Sequence, residues 1–375
     1  MIIITIIAFL VILSVLILIH EAGHYFAARL FGVKAEEFGY GLPPRAVGFV
    51  RQDGKWKKVK RNDAQSYPKT IWSLNWLPIG GFVRIKGEQG ESLDADSFLA
   101  KPVWQRLVII AAGVIMNWIL AAVLLSIALM IGAPTVLEDI PAGAHVRNRA
   151  VTIVDVLPGS AAEKAGIQSM DAVLEIGGQK PENVQAVQDA ISGRESSPVD
   201  LLLSRNGRDV AITARPEYVE AIKKYGLGVS LAEIGNVSFP PHLAVWHGVG
   251  LTADYTEATA VGFYDLFRDL FRGGGETVQS VSGPVGIAVI TGKFAKQGVL
   301  SLIQFAAILS INLAILNFLP IPALDGGRAV FLVYEGIFRK PINRNVEAIA
   351  HNVAFIVLIA LVLLVTVRDV WRLVG

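Results

Sequence analysis

Apolar positions in this chain follow two rhythms: long runs with few polar breaks, and short alternating stretches closed by glycine, proline or asparagine. Four long runs stand out. Ile2 to Ile19 is broken only by Thr5 and Ser14, and Leu107 to Ile131 by Asn117 and Ser126. A third, from about Leu300 to Pro320, carries Gln304, Asn312 and Asn317; a fourth, Val353 to Val367, extends back through Ala348, Ile349 and Ala350. Each approaches the ~20 residues that cross a hydrocarbon layer as a helix. The pattern predicts spans over about 2–30, 104–131, 299–319 and 347–370. Buried core helices of a soluble domain are the competing reading for the last two. A cleaved signal peptide is disfavoured for the first run, because no Lys or Arg precedes Arg29 and no Ala-x-Ala follows.

The alternating stretches concentrate between the second and third runs. "VTIVDVLPGSAAEKAGI" reads as a strand, a Pro-Gly-Ser turn with helix-start chemistry, and a short helix ending at Gly166. "DAVLEIGGQ" is a second strand closed by Gly177 and Gly178, "VQAVQDAIS" has helical spacing, and two strands flank Asn206-Gly207, a hairpin signal. These predict a folded α+β domain over about 150–230. Residues 231–298 then form a linker whose "YTEATAVGFYDLFRDLFRGGG" suits a membrane surface. A smaller alternating stretch, "PIGGFVRIKGE" at 78–88, predicts a short β-hairpin within a β region of about 45–90.

Composition and charge sharpen this picture. Hydrophobic residues are 53% of the chain and charged residues 18%, below the usual quarter of a soluble protein. A net charge of +2 without a basic stripe argues against nucleic acid as a partner. With no cysteine, disulfides and thiolate metal sites are excluded, so any zinc must use His, Asp or Glu. Residues 32–102 carry twelve Lys or Arg, which predicts that this loop is cytoplasmic. Four spans then put both termini and residues 132–298 outside, and residues 320–350 inside with Arg328, Arg339, Lys340 and Arg344.

Candidate chemistry lies at the ends of two runs. In "LILIHEAGHYFAARLFG" the first span closes on His20, Glu21 and His24. Histidines four apart on a helix lie ~40° apart around its axis and reach one metal ion. Glu21 sits beside them, placed to act on water rather than to ligate; this is the His-Glu-x-x-His logic of zinc hydrolases. A third ligand is needed. The candidate is Asp325 in "NFLPIPALDGGRAV", where Pro320 and Pro322 break the third span and Gly326-Gly327 allow close backbone approach. Asp325 also fits a turn aspartate capping the next helix. Span parity favours the metal: the first and third spans run in the same direction, so both motifs fall near the cytoplasmic end.

Taken together, HEAGH at the first span's end, "NFLPIPALDGG" at the third's, and the domain between spans two and three resemble the site-2 protease family of intramembrane zinc metalloproteases, in the bacterial branch with an extracytoplasmic PDZ domain, that of the regulator-of-sigma-E proteases. The resemblance implies a polytopic α-helical membrane protein of about four transmembrane helices, with a cytoplasmic-side membrane-associated β-hairpin region and an inserted extracytoplasmic PDZ-like domain. It implies zinc bound by His20, His24 and Asp325, with Glu21 as catalytic base. It also implies substrate contacts at Asn317, Pro320 and Pro322 and along Gly81, Phe82, Val83 and Arg84, where an unwound substrate adds as a strand. The PDZ-like domain departs from its pattern at "IQSMD", with Met170 where such domains commonly carry glycine. "SGPVGI" at 282–287 also matches, with no chemical role to derive from sequence.

The expected reaction is hydrolysis of peptide bonds within transmembrane segments. Implied substrates are single-span membrane proteins: anti-sigma factors, remnant signal peptides or pheromone precursors. The implied location is the bacterial inner membrane, with the metal near its cytoplasmic side. A membrane PDZ scaffold capturing protein C-termini is the alternative, and leaves both metal motifs as accidents. A zinc transporter needs metal-binding residues spaced across the membrane, whereas these cluster near one face.

Overall fold

The computed structural model describes residues 2–61, 67–88, 92–137, 140–194, 196–205, 207–219, 224–272 and 282–374. Its elements in chain order are α1 (Ile2–Leu30), β1 (Ala35–Gln52), β2 (Lys55–Val59), β3 (Ile71–Ile85), α2 (Val103–Ile131), β4 (Ala133–Val136), β5 (His145–Val156), α3 (Ala161–Lys164), β6 (Ala172–Ile176), α4 (Val184–Ser192), β7 (Val199–Arg205) and β8 (Arg208–Ala214). There follow β9 (Glu217–Val219), β10 (Lys224–Gly226), β11 (Val229–Ser238), α5 (Pro241–Arg272), α6 (Pro284–Gln297), α7 (Val299–Phe318), α8 (Asp325–Phe338) and α9 (Arg344–Val374). Helices α1, α2, α7 and α9 are long and apolar enough to cross a membrane. The chain divides into two compact units, Met1–Leu125 with Gly248–Gly375, and Ser126–His247.

In the first unit, one core joins Ala28 of α1, Ile109 and Ile110 of α2 and Leu332 of α8 with Ile85 and Phe98. A second joins Ala121 and Leu125 of α2 with Ala307 and Ile311 of α7. The sheet has the strand order β2-β1-β3. Strands β1 and β3 both bend, so five legs lie side by side: 81–85, 35–42, 71–77, 45–52 and 55–59. Gly41, at φ 80°, makes the bend possible, since a Cβ there would lie 2.4 Å from the Leu77 carbonyl oxygen. The hairpin expected locally at 78–88 is therefore not local. Phe82 pairs with Gly39 and Val83 with Phe38, more than forty residues earlier, because the chain passes Gly80 (φ 70°) and runs on as the edge leg of β3.

That edge leg packs against α1. The Gly80 N–H donates to Ser14 Oγ at 3.3 Å, and the Val83 N–H to Glu21 Oε2 at 3.0 Å. Cross-strand partners share a face, so Phe49 and Trp72, Arg51 and Trp56, and Tyr40 and Leu74 sit together. All six are exposed, giving the sheet a face rich in aromatic side chains, with Arg51 and Lys58 among them.

The second unit holds a six-stranded sheet in the order β4-β11-β5-β6-β7-β8. It buries Val151, Ile153, Val173, Leu201 and Leu203 against Val187 and Ile191 of α4. Ser160 caps α3 through the Glu163 N–H, and Asn183 caps α4 through the Ala186 N–H, as those residue types dictate. The unit is wider than 150–230: β4 pairs with β11, and β11 continues past Val229 alongside β5 to Ser238. Asn206 lies outside the described residues, but the strands on either side pair at Arg205 and Arg208.

Candidate metal centre

Helix α1 carries His20 and His24 one turn apart, 6% and 8% exposed. Their rings stand edge to face, 4.8 Å between centroids, and bring the two Nε2 atoms to 3.2 Å. Asp325 is the first residue of α8 and sets Oδ2 at 3.0 Å from His20 Nε2 and 3.3 Å from His24 Nε2. Among the described residues, His20, His24 and Asp325 are the group whose ligand atoms converge, all within 4.8 Å of one another.

Local sequence explains how Asp325 arrives there. The α7 helix ends at Phe318, and the prolines turn the chain so that the Leu324 N–H donates to the Ile321 oxygen at 2.8 Å. The next turn presses on that loop: a Cβ on Gly326 or Gly327 would lie 2.2 Å from the Phe318 or Ile321 oxygen, so only glycine fits. Across the loop, His351 Nδ1 of α9 donates to the Pro322 oxygen at 3.0 Å. Beyond Asp325, α8 is tied down by Arg106 to Glu335, at 2.5 and 3.1 Å, and by an Arg328–Glu88 pair. These side chains, with Pro322 and His351, line a cavity of about 740 Å³.

The donor set suits a zinc ion. His24 Nδ1 lies 2.8 Å from the Ile109 carbonyl oxygen. A carbonyl only accepts, so Nδ1 carries the proton and Nε2 presents a lone pair. That lone pair faces Asp325 Oδ2, a buried oxygen without a hydrogen-bond donor. Lone pairs brought this close repel unless a cation lies between them. Two imidazoles and one carboxylate are the three protein ligands of a catalytic zinc set.

Glu21 stands beside the cluster, held by the Val83 N–H. Val83 is half-buried, Gly81 buried and Phe82 half-buried, while Arg84 is exposed and lies 3.9 Å from Glu37. Asn317 is half-buried at the end of α7, Pro320 exposed and Pro322 half-buried. Sequence reasoning missed the backbone link from Val83 to Glu21 and the stripe of Ile109, Gly113 and Asn117 on α2. The one trace of that stripe was Asn117, a polar break in an apolar run.

The sequence profile of Peptidase family M50 matches residues 8–60 and 63–361. The regulator of sigma-W protease RasP of Bacillus subtilis is 30% identical, over 98% of this chain and 99% of its own. A protein of Mesorhizobium japonicum named as a candidate zinc metalloprotease is 30% identical over 95% of each chain. Among solved structures, the PDZ domain of an SdrC-like protein from Listeria innocua covers 22% of this chain and 92% of its own, at 17% identity and a TM-score of 0.21.

Proposed function

The chain belongs to peptidase family M50 and is a membrane zinc metalloprotease; from that premise we propose that His20, His24 and Asp325 hold the zinc and Glu21 is the catalytic base. The observation that carries this is the convergence of the two Nε2 atoms and Asp325 Oδ2, with Glu21 alongside. Zinc bound there supplies a Lewis acid that lowers the pKa of water towards 7 and polarises a carbonyl. Glu21 takes the proton of the attacking water and returns one to the leaving amine. The Val83 N–H holds one Glu21 oxygen and leaves the other for that proton. The edge leg 81–85 receives the substrate as an added strand, replacing the hydrogen bonds a helix loses when it unwinds. Asn317, Pro320 and Pro322 border the scissile segment.

The protein sits as a multi-pass protein in the bacterial inner membrane. By the positive charge of residues 32–102 we assign the metal site to the cytoplasmic side, and the termini and the second unit to the outside. The aromatic sheet face suits the cytoplasmic membrane surface. The second unit acts as a PDZ-like filter, excluding bulky ectodomains or binding exposed C-termini. A full-length relative is named a regulator of sigma-W protease, which supports a substrate in sigma-factor control; the substrates of this reading are anti-sigma factors or signal-peptide remnants.

Replacing Glu21 by Gln tests the base. The variant keeps one zinc per chain, and cleavage of a reconstituted single-span substrate falls by about 10²–10⁴. Near-normal cleavage by a zinc-loaded Glu21→Gln protein would remove Glu21 from this role.

A further inference from the structure

Three residues of α2, spaced four apart, meet the two histidines. The Ile109 carbonyl takes the His24 Nδ1 proton at 2.8 Å. Gly113 leaves space for both rings: a Cβ there would lie 2.4 Å from His24 Nε2 and 2.7 Å from His20 Cε1. Asn117, with 0% exposure, sets its amide Nδ2 3.4 Å from His20 Nδ1. Each imidazole therefore has a partner on α2 at Nδ1 and turns Nε2 towards Asp325.

The two partners differ chemically. A carbonyl fixes the His24 tautomer, but a side-chain amide has an oxygen and a nitrogen that a half-turn of its last torsion exchanges. With Nδ2 towards His20, Nδ1 accepts and the ring proton goes to Nε2, pointing among the candidate ligand atoms. In that orientation Asn117 Oδ1 is buried without a partner, so the half-turn breaks no bond on its side. With Oδ1 towards His20, the amide oxygen accepts the Nδ1–H and Nε2 is left with a lone pair, as in His24.

We propose that Asn117 is the positioning residue for His20: its side-chain oxygen accepts the Nδ1–H and so fixes the tautomer and ring angle that zinc requires. Its backbone is held in turn, because the buried Ser310 hydroxyl donates to the Asn117 carbonyl at 2.7 Å and ties α2 to α7 at this level. Metal-ligating histidines generally need such a partner on the far nitrogen, and its loss lowers metal affinity about 10–100-fold. The inference rests on the reading of His20 as a zinc ligand.

The test measures zinc affinity of the purified full chain by competition with a chelator, alongside the melting temperature of the zinc-stripped protein. Asn117→Leu keeps the volume and loses the acceptor; Asn117→Asp keeps an acceptor; Asn117→Ala replaces the leucine variant if that does not fold. The expected result is a loss of affinity of about 10–100-fold in Asn117→Leu, with wild-type affinity retained in Asn117→Asp. Wild-type affinity in Asn117→Leu, or an equal loss in Asn117→Asp, overturns the proposal. His20→Ala separates it from the reading beneath it. If His20→Ala loses zinc while Asn117→Leu keeps it, only the role of Asn117 fails; if His20→Ala itself binds zinc normally, the ligand assignment falls and the inference with it.

Discussion

One residue of the second unit holds a conformation that its chemistry does not favour, and its neighbours enforce it. Met170 has φ 71°, a left-handed conformation that costs a non-glycine residue about 1–2 kcal/mol. Its N–H donates to the Ile153 oxygen at 2.7 Å, and the next residue, Asp171, is buried against Arg205 at 2.6 Å. Those bonds hold the Met170 backbone in this conformation. Met170→Gly relieves the strain and loses about 0.5–1 kcal/mol through the freer unfolded chain. The second unit should therefore gain up to about 1 kcal/mol, read as a raised melting temperature; a lowered one would contradict this account. The sequence disclosed His20, Glu21 and His24 readily, since helical periodicity places them without tertiary knowledge. Asp325 stood out by its proline and glycine context and by span parity, while Asn117 stayed hidden, because its partner lies 97 positions away.

Among elements, the first sheet gives the clearest case of structure that periodicity cannot deliver. Alternation pointed to one stretch of it, 78–88, but the folding back of β1 and β3 depends on Gly41 and Gly80 and on partners far along the chain. The "SGPVGI" segment likewise gains a role only from a distant residue. It opens α6, where the Gly286 N–H donates to buried Asp369 of α9 at 2.7 Å, and a Cβ on Gly283 would lie 2.8 Å from that carboxylate. A carboxylate at a helix N-terminus meets unpaired N–H groups. Inside the first sheet, Glu37 is 2% exposed and joins two legs of β1 through Arg45, whose Nε donates at 2.8 Å. Burial pushes the Glu37 carboxyl up, but the hydrogen bonds from Arg45 and the Arg45 and Arg84 charges outweigh it, so its pKa is lowered. A lowered folded-state pKa adds stability above the unfolded value of about 4.3, and that stability is lost as pH falls through the folded value. Glu37→Gln should cost about 3 kcal/mol at neutral pH by taking the carboxylate charge away from the Arg45 guanidinium, with the gap to wild type closing below about pH 4. A gap in thermal unfolding that stayed constant from pH 7 to pH 3 would contradict the pairing.

At the scale of the whole molecule, the proposed zinc site joins elements that are 301 positions apart, from His24 to Asp325, yet both belong to the first compact unit. The second unit has its own core, built on Val187, Val199 and Leu203 with no part of the metal site. Zinc that binds only the folded site stabilises it by about 4 kcal/mol at a thousand times its Kd. Removing it acts on α1 and α8, and leaves β5 to β8 with every contact they had. Two unfolding transitions should therefore be resolved by calorimetry of the purified chain, and Met170→Gly identifies the one that belongs to the second unit by moving it upward. Chelation should lower the other transition and leave that one within error, and added zinc should restore it. A chelator that shifted the Met170-sensitive transition, or neither, would mean that zinc is not held by His20, His24 and Asp325 in the first unit.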